Sequence, residues 1–343
     1  MSVTSTSTQR STPSRSGTVS SDRSTSSKAS SVAGPDSTPS AAAKRQAEAV
    51  RGTWADQPFS LLKSPSVAHD ARHPAVFVAN DMTHQHNAAL RGLNAIYLQA
   101  PHLQDLQDIT DLLFLVQCWG LWVQYYDNLR RNSIFPQFEE ALQKPGFLLA
   151  RIQEETDFIP SLDRLLHYVQ ETHAQVETYD AGIFQGLIND VGVPFRSHLA
   201  DTISILLEIP WLCDQMNSPE AKFKAGRISQ IYRKIDKEAS GAMDMHIVPP
   251  MLMRMRDTTS AGGRNWPGVS LIALHTIDKT LSRTHAGAWR FLPCDVWGKP
   301  RELPFLGQDV GKSKKVTIKI VRVESEVPSR SPTQGHEQEQ AMI

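Results

Sequence analysis

Apolar and polar positions alternate along the middle of the chain with a helical period, and nothing there repeats every second residue as a strand would. One face of the segment 80–100 carries His86, Leu90, Leu93 and Tyr97 at steps of three and four. Asn80 or Asp81 offers an N-cap, and Pro101 stops the segment. His84, two residues from His86, points elsewhere, so the pattern predicts that only one of the two faces the core. A second helix is predicted over 105–131, with Leu112, Leu115, Trp119, Trp122, Tyr126 and Arg130 on one stripe. A bend at Pro136 then leads into 137–142, before Pro145 and Gly146. A third helix is expected from Pro160, carrying Leu162, Leu166, Val169, His173, Val176, Glu177 and Phe184. A fourth is expected from Pro194, a favoured first-turn residue, carrying Phe195, His198, Thr202, Leu206 and Ile209. Long helices with one apolar stripe each predict an all-α, four-helix bundle over 75–216.

Beyond Met216 the pattern loosens. Residues 225–240 are amphipathic through Ile228, Tyr232 and Ile235, and 243–255 are methionine-rich and interrupted by Pro249 and Pro250. A loop is read at 262–268, one more helix at 269–288, and a turn-rich aromatic segment at 289–303 that packs on the bundle. Together these make a helical and loop extension over 217–306. The ends differ in kind. Ser or Thr fills 19 of the first 32 positions, so residues 1–52 bury too little surface to offset chain entropy and read as a disordered, phosphorylatable tail. The basic and then polar stretch 307–343 reads as a second, mostly disordered tail, with a short strand conceivable at 316–321.

The net charge of zero gives no argument for nucleic acid or a membrane surface as a partner, and no apolar run reaches the ~20 residues of a spanning helix. Cys118, Cys213 and Cys294 are odd in number and far apart. They read as buried thiols in a reducing compartment, which with the missing leader segment predicts a cytoplasmic protein.

The candidate chemistry lies in the inward polar residues. His86, His173 and His198 fall on apolar faces of three different helices. Glu177 follows His173 by four and Asp201 follows His198 by three, so each could join a ligand set. The bland alternative is core histidines with one hydrogen bond each and solvated carboxylates. Asp127 and Arg131 are read as a surface pair on the second helix, and the methionines at 243–255 as packing. No phosphate loop, nucleophile elbow or zinc motif is present.

The run His86-Asn87 to Pro101, the Phe135-Pro136-Gln137-Phe138-Glu139-Glu140 motif, His198-Leu199-Ala200-Asp201, Trp289 to Asp295, and Pro300-Arg301-Glu302-Leu303 together resemble the long hemerythrin-like proteins of filamentous fungi. The resemblance spans about Phe77 to Leu303. It implies a four-helix bundle around a non-haem di-iron centre, with His86, His173, Glu177 and His198 as metal ligands. The second helix departs from the family pattern. Tyr126 stands where a ligand histidine is expected, Arg130 near the bridging glutamate, and Thr202 where a second bridging carboxylate belongs. A guanidinium stays protonated, donates only, and repels a metal pair. The cofactor expectation is therefore none or a single metal ion, with a di-iron centre only by resemblance. An inward Arg130 needs an anion, and Glu177 is the expected partner.

Three functions follow. One is a degenerate hemerythrin-like protein acting through its surface on a protein partner as an interaction or regulatory module. The alternative is a metal-binding hemerythrin-like protein that binds or senses oxygen or iron. The third is an enzyme using a bundle-core site for oxidation or hydrolysis, for which no residue set is placed to carry a reaction.

Overall fold

The computed structural model describes residues 55–153, 157–174, 178–215, 219–260 and 263–306. Both tails, the possible strand at 316–321 and Glu177 lie outside them. Among the described residues the secondary structure is helical, without a strand.

Helix α1 runs Pro74–Gln99, beginning a turn and a half before the predicted cap. Pro74 starts it, and the His73 ring accepts from the Ala75 N–H. Asp81 is thus a mid-helix residue. After a 3₁₀ turn, α2 (Leu106–Leu129) is capped by Asp105, which accepts from the amides of Gln107 and Asp108. The backbone stays helical through the region where a bend at Pro136 was expected. The helix passes through a π turn, Arg130–Ile134, and continues as α3, Phe135–Leu142. Gln143 stops it in the left-handed conformation at φ 55.

Short α4 (Leu149–Gln153) precedes α5 (Ile159–His173). The next helix, α6, spans Ala181–Leu206, capped by Asp180, and so starts well before Pro194, which lies inside it. Phe184 belongs to α6, not to the third helix. Then follow α7 (Glu208–Gln215) and α8 (Pro219–Gly241). In α9 (Val248–Met255), Pro249 and Pro250 sit in the first turn, where no amide is needed, and so start the helix rather than break it. The single helix expected at 269–288 is instead α10 (Leu271–Lys279), a 3₁₀ turn and one-turn α11 (Ala286–Trp289).

Helix α1 packs against α2, α6, α8 and α9, and α5 packs against α2 and α6. One large core joins Leu90, Leu93, Trp119, Phe158, Phe184 and Phe195 to Met251, Met255, Trp289, Phe291 and Phe305, so the C-terminal segments share the core of the long helices. A second core gathers Val78 and Met82 with Phe135, Phe138, Leu206, Ile228 and Tyr232. Because α1 is covered on nearly all sides, His84 and His86 are both buried, against the expectation that only one would be. All three cysteines are buried thiols outside any disulfide, as the sequence suggested.

Encased in this way, α1 uses its polar residues as staples. Asn94 accepts from the Phe59 amide at 2.9 Å and donates to the carbonyls of Ala55 and Phe59. Asn87 clamps both backbone groups of Leu62. Arg91 reaches Asp257 and Asp56, each at 3.5 Å. Gln99 donates to the Phe291 carbonyl at 2.8 Å. Gly92 leaves room for Met255, whose sulfur a Cβ there would strike.

Asn94→Ala strands two buried carbonyls and one amide, so it is expected to lower the unfolding free energy by about 2–4 kcal/mol in chemical denaturation. Asn87→Ala, at a more exposed clamp, is expected to cost less.

Candidate functional site

The inward side chains of α1, α2, the π turn and α6 meet in a buried polar cluster centred on Asp127. Asp127 accepts from His198 Nε2 at 3.1 Å and from Arg130 Nη2 at 3.3 Å, both through Oδ1, and from Arg131 Nε at 2.7 Å through Oδ2. Arg130 Nη1 lies 2.5 Å from His86 Nε2. That nitrogen must therefore be an acceptor, which makes His86 neutral. Asp127, Arg130, His86 and His198 are each under 5% exposed. The rings of Phe158 and Phe195 close over His198 and exclude water.

The electrostatics follow from that enclosure. Burial alone would raise Asp127, but the His198 hydrogen bond and the charges of Arg130 and Arg131 outweigh it and hold the carboxyl at about 2. Burial pushes His86 well below the ordinary imidazole range, and the Arg130 charge pushes it further. His198 is also lowered by burial, against the pull of Asp127. One carboxylate thus faces two guanidinia, with both imidazoles neutral.

Of the expected ligands, Glu177 lies outside the described residues, and His86, His173 and His198 do not all come together. His86 and His198 share the cluster, bridged by Arg130 and Asp127 rather than facing each other across open space. His173 is the last residue of α5 and is exposed, because that helix turns its buried face through Tyr168, Val169 and Thr172. Asp201 is half-buried. Arg130 points inward as expected, but its carboxylate is Asp127. Asp127 is correspondingly no surface residue, although its pairing with Arg131 is as read. Thr202 is fully buried and donates to the His198 carbonyl at 2.9 Å. Tyr126 is buried beside Gln85, and burial raises its phenol, opposing a phenolate ligand.

Among the described residues no group of three or more His, Cys, Asp or Glu side chains is arranged for a metal ion. The residues present do not fit a metal pair, since a guanidinium fills the space between His86 and Asp127. The chamber bounded by Gln85, His86, Trp122, Tyr126 and Arg130 measures about 20 Å³, room for one water.

A second polar group adjoins the first. Tyr232 of α8 donates to Asp81 Oδ2 at 2.7 Å. Burial raises Asp81 despite that bond, and burial together with the Asp81 charge raises Asp236 to about 6. His84 stacks on Trp266 nearby. The sequence offers Asp81 as an N-cap and Asp127 as a surface residue, and gives no reading for Asp236, so none of the three was expected in the core. The one available signal was Asp127 lying three and four residues before two consecutive arginines, directly after an inward tyrosine.

No protein-family model matches the chain, and no solved structure does. A relative is the dimeric xanthone biosynthesis cluster protein R11 of Cryptosporiopsis sp. (strain 8999), 25% identical over 257 residues, covering 74% of this chain and 93% of the relative. At that identity the two chains are similar along most of their lengths.

Asp127→Ala is expected to cost about 3–5 kcal/mol by leaving Arg130 buried without its anion, and a further Arg130→Met substitution to recover most of that in denaturant titration. Because the folded Asp127 lies near 2 against an ordinary 3.8, its stabilisation is present above about pH 4 and lost as pH falls toward 2. The sign reverses at Asp236, which folding raises to about 6 from 3.8. Its protonated form favours the fold, so stability declines as pH rises through that window. Asp236→Asn is therefore expected to raise the melting temperature at pH 8 and leave it unchanged near pH 4, in thermal melts at the two pH values.

Proposed function

We propose that this chain is a hemerythrin-like four-helix bundle whose di-iron centre has given way to a buried ion-pair cluster, and that it acts through its surface as a non-catalytic interaction or regulatory module. The supporting observation is the Arg130 guanidinium placed between His86 and Asp127. A permanent cation there opposes two metal ions by about 4 kcal/mol per unit charge at ~4 Å and an effective dielectric of ~20. The packing is consistent with the bundle reading, since α1, α2, α5 and α6 each contact two others of the four in a closed ring. The size of the core chamber supports a non-catalytic role, because about 20 Å³ admits no substrate. The relative's name refers to a dimeric xanthone biosynthesis cluster, and the corresponding setting for this chain is an accessory role beside biosynthetic enzymes, one of which would be its protein partner. No helix among the described residues is long and apolar enough to cross a membrane. A cytoplasmic location fits the buried thiols.

The test is metal per chain after purification under iron-replete conditions, with an optical spectrum for oxo-bridge bands. Wild type is expected to carry none. Two irons would overturn the reading, and one lost in His86→Ala or His198→Ala would establish the metal-binding alternative. Tyr126→His, Arg130→Glu and Thr202→Glu combined are expected to restore iron uptake.

A further inference from the structure

The C-terminal segments build a pocket of about 240 Å³ that shares no residue with the Asp127 cluster. Arg254 enters it from α9, Arg283 from the 3₁₀ turn after α10, and Arg290 and Arg301 from the segment after α11, with Trp289 at the wall and Asp278 the one lining carboxylate.

The guanidinia are held in place by the fold. Arg301 donates through Nε to the Leu292 carbonyl and through Nη2 to those of Trp289 and Arg290, at 2.6 to 2.8 Å. Its Nη1 makes none of these bonds. Arg254 donates through Nη1 to the Pro250 carbonyl and the Ser282 hydroxyl, and its Nη2 makes neither bond. Carbonyls fix these side chains without cancelling their charge.

Anions are scarce among them. Arg290 is held by Asp108 and Asp111 outside the pocket. Asp278 also pairs with Lys279 at 2.9 Å. Asp278 and then Asp295 attract Arg254, and Asp295 attracts Arg301. Burial, and then the neighbouring Arg301 charge, bring Arg254 down to about 10, the sign of cations crowded together in a half-dry site. The fixed guanidinia of Arg254 and Arg301 thus share only Asp278 as an anion in the pocket.

We propose that this pocket binds a small molecule through a phosphate group, with Arg254, Arg283 and Arg301 taking its oxygens. Converging forks suit a tetrahedral dianion with several acceptor oxygens. The volume lies below the ~300–1,000 Å³ of drug-sized sites, which points to a phosphate on a small body rather than a nucleic acid or extended cofactor.

The test is calorimetric titration of the full chain with inorganic phosphate, with malonate and chloride as comparison anions. Saturable one-to-one phosphate binding is expected, with malonate weaker and chloride without effect. Arg283→Glu, exposed at the rim, is expected to weaken phosphate by about tenfold with an unchanged melting temperature. Asp278→Asn is expected to tighten it by about threefold, a direction that general damage to the fold would not give. Absent saturation, equal binding in Arg283→Glu, or tighter binding of malonate than of phosphate would each overturn the proposal. Iron per chain in the wild type tests the reading of the core without reference to phosphate, so this site and that reading fail separately.

Discussion

A single carboxylate sets the terms for the centre of this protein. Asp127 receives hydrogen bonds from Arg130, Arg131 and His198, and through Arg130 it is connected to His86. Helices α1, α2 and α6 meet at those side chains. Without Asp127 the cluster would be two cations and two imidazoles in an apolar enclosure, which desolvation would not tolerate. With it, two neutral histidines remain neutral, one as acceptor from Arg130 and one as donor to Asp127. A ring nitrogen used as an acceptor from a guanidinium is not free to hold a metal, so Arg130 occupies the inward nitrogen of His86.

The residues that carry the family resemblance turn out to be mostly architectural. Asn87, Arg91, Asn94 and Gln99 bind the segment 55–62 and the C-terminal segments to α1. Glu139 accepts from the amides of Gly146, Leu148 and Leu149, closing the loop after α3. Arg301 gathers three carbonyls.

What the sequence revealed was the content of the helices, and what it hid was their phase and ends. The stripe Leu112, Trp119, Trp122, Tyr126 is buried as its spacing indicated. Pro194 looked like a helix start, yet Asp180 caps α6 earlier and the helix absorbs the proline. His173 shared the spacing of Leu162 and Val169 but falls on the last turn, where the stripe has already left the core. Asp127 seemed exposed because its partner Arg131 lies four residues on, the usual spacing of a solvated pair. Periodicity cannot report that a third helix covers that face and that Arg130 turns beneath it.

The π turn at Arg130–Ile134 works as a phase shifter. Residues of a regular helix advance by about 100° each, so one extra residue in a turn rotates everything downstream by about that angle. Before the turn, Val123 and Tyr126 face the large core; its last residue, Ile134, and then Phe135, Phe138 and Leu142 face the second. The same rotation falls where Arg130 and Arg131 both reach back to Asp127. One inserted step of backbone therefore lets an uninterrupted helical rod serve two cores in succession, with the charge cluster placed at the joint between them.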